Sequence, residues 1–314
     1  MRPLWKDVLI ALFLGMIIPG LTLNGFVWKE KKNTNEQIRS ETRAQSGQKI
    51  SVIQSAGSQV EMVLDEYLTG VLLAEMPADF HPEALKAQAV AAATYTWKAH
   101  ISGGKHGDGS ICTDSSCCQA YISTEDFLSR GGLPEQLDQV KKAVTAVSGF
   151  VLMYEDDLIE ATYFSSAGGS TESAVSVWGA DYPYLRAVSS PEETETHTVF
   201  FTKNEFGNRL GIVLSNKTEE SFGPVTYTEG GGVATMEICG ETFTGVEIRS
   251  MLGLRSTVFD LQTEGDILKI TTKGYGHRVG MSQYGANAMA ESGSSWQEIL
   301  QHYYPDTILV PIHE

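Results

Sequence analysis

Residues Gly70–Gln88 read GVLLAEMPADFHPEALKAQ, and its two prolines decide how the chain is built. The apolar run Val71–Ala74 leads straight into Glu75, with Pro77 two residues on. Pro77 drives Met76 out of helical geometry and ends a first helix. Pro82 suits the first turn of a second helix, which continues as EALKAQAVAAATYTWKAH with Leu85, Ala89, Ala92 and Thr96 on one face. Upstream, a strand is expected at Ile50–Ile53, and Asp65 is expected to cap a helix over Glu66–Ala74. Glu75 therefore sits at a helix end, in the turn between two helices. Apolar surroundings and the negative end of a helix dipole both disfavour its ionised form, so it can hold a proton near neutral pH. Of the neighbouring carboxylates, Asp79 lies in a polar turn and Glu83 at a helix N-terminus that favours ionisation.

The chain has 314 residues, 42% of them hydrophobic, enough for one sizeable core or two modest ones. A formal charge of -16 argues against a nucleic-acid-binding protein, which needs a basic face. The N-terminal stretch Val8–Trp28 is uncharged and long enough to cross a bilayer as a helix, and no A-x-A-like cleavage site follows it. Residues 1–28 read as an uncleaved signal-anchor rather than a cleaved signal peptide, and 29–49 as a solvated polar stalk. Charge does not fix its orientation, because Lys29, Lys31 and Lys32 rival Arg2 and Lys6.

Two further segments, Tyr163–Val188 and Gly274–Ala290, read as loops rich in Gly, Ser and aromatics. They lack P-loop spacing. Rings and hydroxyls beside flexible glycines suit a groove for a sugar polymer. The stretch HGDGSICTDSSCCQAY carries His106, Cys112, Cys117 and Cys118, all of the zinc-binding kind, although the spacing matches no zinc finger. A Cys112 disulfide is the competing reading outside the membrane. Cys239 reads as a lone buried thiol. Between Pro191 and Phe259 the pattern changes to a strand, a helix and alternating strands around glycines. The expected class is α+β, two-lobed with a substrate cleft: a catalytic domain over 50–190 and 260–314, with 191–259 inserted as a smaller lobe.

In order along the chain, EYLTGVLLAEMPADFHPEALKAQAVAA, SSAGGSTESAVSVWG, VEIRSMLGLRSTVF, GYGHRVGMSQYGA and ILQHYYPDT resemble the stage II sporulation protein D family of peptidoglycan-cleaving proteins. The resemblance covers nearly everything beyond the stalk. It implies a single-pass protein of the bacterial cell membrane whose folded part faces the cell wall, at the septum of a sporulating cell. The implied activity is a lytic transglycosylase acting on glycan strands, with Glu75 as the catalytic acid and no cofactor needed for catalysis. Strands stripped of stem peptides are the implied substrate, and engulfment the implied process. The family pattern places Ser166, His277 and Tyr284 in the substrate groove. Relatives with a metal-binding loop favour a structural zinc on His106, Cys112, Cys117 and Cys118. The implied partners are stage II sporulation proteins P and M. Similar domains also occur in amidase enhancers, so a non-catalytic wall-binding activator of an amidase is the alternative. Two departures stand out: Ala93 where relatives carry arginine, and Arg278 where they carry glycine. Arg278 is therefore expected to point into the cleft as a substrate-binding residue and to supply the missing guanidinium, the alternative being that Ala93 marks weakened activity.

Overall fold

The computed structural model describes residues 47–312 apart from 56, 194, 216 and 217. The expected anchor and all but the last residues of the expected stalk lie outside the described residues. Among those described, no helix is long and apolar enough to cross a membrane. The architecture is α+β, with several small sheets around two hydrophobic cores.

The first part of the chain contains β1 (Lys49–Ile53), β2 (Gln59–Val63), α1 (Leu64–Glu75), α2 (Pro82–Ser102) and β3 (Ile111–Cys112). Next come α3 (Thr124–Ser129), α4 (Pro134–Ala146), β4 (Phe150–Tyr154), β5 (Asp157–Leu158), β6 (Tyr163–Phe164) and α5 (Ala174–Trp178). The central helix is α2, buried almost all round from Ala84 to Thr94 and packed against α1, α4 and β4. Its alanine run lets neighbours approach on every side, which a helix with larger side chains would forbid. Pro82 occupies its first turn, His81 caps it by accepting from Glu83 N–H at 3.2 Å, and Gly103 ends it in the left-handed conformation. At the end of α1, Met76 is extended, as Pro77 requires. Its start differs from expectation: β2 runs directly into the helix, so Val63 is the N-cap and makes no side-chain cap. Asp65 lies inside the first turn, and its carboxylate accepts instead from Ser148 Oγ at 2.9 Å.

The smaller lobe contains β7 (Thr196–Thr202), α6 (Lys203–Leu210), β8 (Phe222–Tyr227), β9 (Val233–Ile238) and β10 (Glu241–Thr244). It continues through α7 (Gly245–Leu252), β11 (Val258–Glu264) and β12 (Ile267–Lys273). Its two antiparallel sheets, β11-β12-β7 and β10-β9-β8, share a core that runs from Phe201 to Ile270. That core passes the expected boundary at 259 because β12 pairs with β7 on one side and β11 on the other. Cys239 is exposed rather than buried. With Gly240 it makes the two-residue turn between β9 and β10, at φ +55 and +82, and a turn with both φ positive faces solvent at the hairpin tip.

The chain returns to the first core through β13 (Met281–Ser282), α8 (Gln283–Glu291), α9 (Trp296–Tyr303) and β14 (Ile308–Pro311). The two segments expected to be loops are partly ordered as β6, α5, β13 and α8. They lie side by side: β13 pairs in parallel with β6, Met281 opposite Tyr163 and Ser282 opposite Phe164. Bridges at Ser166–Tyr275 and Glu172–Val279 extend the contact.

Arg278 does not enter a cleft. It is fully buried, and its guanidinium donates to Ala167 O, Ser170 O and Gly230 O, each at 2.6 Å, and to Glu172 Oε1 at 3.0 Å. Glu172 in turn accepts from Thr228 Oγ1 and Gly232 N–H, so the ion pair pins the β8–β9 hairpin of the smaller lobe to the groove segments. Four of the five guanidinium N–H donors are engaged in this way, and the buried group lines neither the Glu75 cavity nor its neighbour. Ala93 is buried in α2.

Removing Arg278 leaves the Glu172 charge buried without its partner, which costs about 3–5 kcal/mol. Arg278→Gly is therefore expected to lower the unfolding free energy by that order, and Ala93→Arg added to it to lower it further, since residue 93 has no room for a charge. Equilibrium denaturation of the three proteins checks this; rescue by Ala93→Arg would contradict it.

Candidate functional site

Glu75 is half-buried at the last position of α1, and its Oε1 accepts from Ala120 N–H at 2.7 Å. That amide is fixed from behind. The Gln119 side chain accepts from Thr96 Oγ1 at 2.8 Å and from Tyr67 OH at 3.4 Å, and donates to Tyr163 OH at 2.7 Å. The following residues lie flat on α1: Ile122 N–H donates to Gly70 O, and a Cβ on Gly70 would meet the Tyr121 ring at 2.3 Å. Gly70 thus permits the close approach that carries Ala120 to Glu75. Burial raises the Glu75 pKa above the ordinary glutamate value, while the Ala120 amide and the neighbouring Gln283 side chain pull it back. The Gln283 amide nitrogen is buried and makes no hydrogen bond to Glu75 or to any other acceptor among the described residues, so its pull on Glu75 is weaker than that of the Ala120 amide.

Glu75 lines a cavity of about 800 Å³ together with Tyr95, Phe164, Trp178, His277 and Gln283. His277 is flanked by the rings of Trp178 and Phe164, with centroids at 5.4 and 5.7 Å. Burial and the nearby Arg249 push its pKa down to about 4, so it is neutral at pH 7. Its Nδ1 accepts from Val279 N–H at 3.1 Å, which assigns the ring proton to Nε2. A second cavity of about 630 Å³ adjoins the first through Ser165 and Tyr275 and is lined by Ser166, Glu192, Arg255 and Tyr284. Glu75 and His277 thus meet in one cavity, Ser166 and Tyr284 in the other, and Arg278 in neither. Tyr284 is 45% exposed with its ring edge-on to Phe80, and its N–H donates to Ser165 O. The rivals of Glu75 are otherwise engaged: Glu83 is ion-paired with Lys86 at 2.6 Å and accepts from Trp296 N–H, which hold its pKa down against burial, and Asp79 is exposed.

The ligand atoms of His106, Cys112, Cys117 and Cys118 all lie within 4.8 Å of one another. His106 Nε2 is 3.5 Å from Cys118 Sγ and 3.9 Å from Cys117 Sγ, and the two sulfurs are 3.8 Å apart. A tetrahedral zinc, with bonds of about 2.3 Å to sulfur and about 2.0 Å to nitrogen, needs edges of about 3.8 and 3.5 Å. The donors present therefore fit a closed four-ligand site, the arrangement of structural zinc. Cys117 and Cys118 also line the Glu75 cavity, and Ala120 follows two residues later.

Several residues of the site escaped the sequence reading. Gln283 stands beside Tyr284 in a segment already singled out, and Trp178 in another, but only the β6–β13 pairing turns them toward Glu75. Gln119 carries no motif; its role follows from three partners distant in sequence.

A family pattern described as Stage II sporulation protein matches residues 54–154. Over an alignment of 278 residues the chain is 39% identical to the Stage II sporulation protein D of Bacillus subtilis (strain 168), covering 85% of this chain and 80% of that protein. Over 273 residues it is 39% identical to the protein of the same name from Bacillus amyloliquefaciens, covering 84% and 79%. It is also 31% identical over 299 residues to a Bacillus subtilis protein named amidase enhancer, covering 77% of this chain and 40% of the enhancer.

The raised Glu75 pKa has a consequence for stability. Between the unfolded and folded values, the folded chain keeps a proton that the unfolded chain has released, so this contribution to stability falls as pH rises through that window. Glu75→Gln does not titrate and escapes the loss. Its unfolding free energy is expected to gain on the wild type from about pH 4 upward and then level off. Denaturation curves at a series of pH values check this, and a gap that is flat or shrinks as pH rises would contradict it.

Proposed function

The chain belongs to the stage II sporulation protein D family, and on that premise we propose that it is a membrane-anchored lytic transglycosylase of the sporulation septum. The observation that carries this reading is a half-buried carboxylate, Glu75, the one acidic residue lining its aromatic-sided cavity among the described residues, with its pKa raised and an amide donor on one oxygen. Lytic cleavage needs one group that serves first as acid and then as base, not two paired carboxylates. Protonated Glu75 gives its proton to the glycosidic oxygen between N-acetylmuramic acid and N-acetylglucosamine. The carboxylate so formed takes the proton of the muramic C6 hydroxyl as that oxygen attacks C1, leaving a 1,6-anhydro end. Burial favours the first state of Glu75, and the Ala120 amide steadies the second. Neutral His277 adds no charge that would depress the acid. Trp178 and Tyr275 offer faces for sugar rings, and the second cavity, with Ser166 and Tyr284, takes the strand onward.

The proposal extends to glycan strands stripped of stem peptides as substrate, to a single-pass anchor with the folded part on the wall side, and to stage II sporulation proteins P and M as partners. The relative named amidase enhancer favours a second reading, a wall-binding activator without chemistry of its own. The two part at Glu75. Incubated with peptide-free glycan strands, the wild type is expected to yield anhydro-muramic ends by mass spectrometry. Glu75→Gln is expected to bind strands equally and yield none. No anhydro ends from the wild type would move the assignment to the activator, and equal product from the variant would remove Glu75 as the acid.

We also propose that His106, Cys112, Cys117 and Cys118 hold one zinc ion, which ties down the loop ahead of Ala120 and takes no part in the chemical step. Metal analysis of the purified chain is expected to find about one zinc, lost in Cys118→Ser with a lower melting temperature. A Cys112 disulfide with no metal would contradict it.

A further inference from the structure

We infer that Glu192 is the positioning residue of the groove, setting the substrate-binding half in register with Glu75. The inference rests on the reading of the groove as a glycan site. Glu192 lies in the chain just ahead of β7, in a segment without helix or strand, and only 7% of it is exposed. Its Oε1 accepts from Ala167 N–H at 2.6 Å and Ser282 Oγ at 2.9 Å, with Ser166 Oγ at 3.5 Å. Its Oε2 is buried with no hydrogen-bond partner among the described residues. Burying a carboxylate on these terms is costly, and a neutral acceptor would be cheaper. What the charge adds is shorter and stronger bonds, hence tighter geometry.

The donors that Glu192 gathers belong to the two segments that form the groove. Ser166 and Ala167 follow β6; Ser282 ends β13 and starts α8. While donating to Glu192, Ser282 Oγ accepts from Gly285 N–H at 3.1 Å and so caps α8. The first turn of α8 presents Gln283 to the Glu75 cavity and Tyr284 to the neighbouring one. A shift of this cap moves both. Ala167 is held from its other side, because its carbonyl accepts from Arg278 Nε at 2.6 Å. Arg278 and Glu192 thus grip one residue between opposite charges, at the turn that carries Ser166. The helix also sits against the Glu192 segment with no slack: a Cβ on Gly285 would lie 2.2 Å from Ser190 Oγ and 2.8 Å from Glu192 Oε2.

The test uses the full chain as Glu192→Ala, Glu192→Gln and Ser282→Ala, assayed on peptide-free glycan strands well below each melting temperature, with hydrogen exchange followed at the Ala167 and Gly285 amides. Glu192→Ala is expected to raise KM by about tenfold with kcat changed by less than about threefold, and to speed exchange at both amides. Glu192→Gln, whose amide oxygen still accepts but without the charge, is expected to recover only part of the loss. Ser282→Ala is expected to raise KM by about threefold and to add nothing on top of Glu192→Ala. A KM within about twofold of wild type in Glu192→Ala, whatever its melting temperature, overturns the inference. If that variant does not fold, an unchanged KM in Ser282→Ala does the same. A wild type that cleaves no strands defeats the lytic reading instead, and the same variants are then read by strand binding, where an unchanged Kd together with unchanged exchange overturns the positioning role.

Discussion

One hydrogen bond, from Ala120 N–H to Glu75 Oε1, sets the terms for the rest of the site. The carboxylate is half-buried at the end of α1, where removal from water favours the protonated acid and the amide favours the anion. Neither influence removes the other. A group asked to give up a proton and then recover one needs both, since burial alone would make a reluctant base and a good anion site alone a poor acid. Much of the surrounding structure accordingly serves one backbone amide. Gln119 is tied to three hydroxyls, Gly70 leaves space for Tyr121, and the cysteine loop ends two residues before Ala120.

The second constraint is the join between the β6 and β13 segments. A two-residue parallel pairing is weak alone, and here it is reinforced by buried charge: Arg278 with Glu172 on one side, Glu192 on the other. Such groups are costly to bury and stringent in their geometry, a trade suited to a groove whose two halves come from segments more than a hundred residues apart. The same network reaches Gly230 and Gly232, so the smaller lobe is fastened where the groove is fastened.

Local chemistry in the sequence foretold local structure well. Prolines mark the end of α1 and the start of α2, and Glu75 stands out because a charge closes an apolar stretch. The apolar spacing reads as one face of α2, through Leu85, Ala89, Ala92 and Thr96, whereas the helix is buried almost all round. The N-terminus of α1 was less legible, because β2 passes straight into the helix and leaves Asp65 no capping position. Arg278 looked free because its partners, Glu172 and Ala167, lie 106 and 111 residues away. Cys239 looked like a core thiol because its neighbours are strand residues, while the backbone places it at a hairpin tip. Glu192 offered no signal at all: one glutamate in an acidic stretch, distinguished only by what folding brings to it.

Folding raises the Glu75 pKa above that of an ordinary glutamate while leaving the group able to ionise. Its titration can be followed directly through the side-chain carboxyl carbon by NMR, with Glu75→Gln identifying the resonance. A midpoint above the ordinary value of about 4.3, in the absence of substrate, is expected. A midpoint at or below that value would show that the Ala120 amide outweighs burial, and would contradict the role of Glu75 as a proton-holding acid.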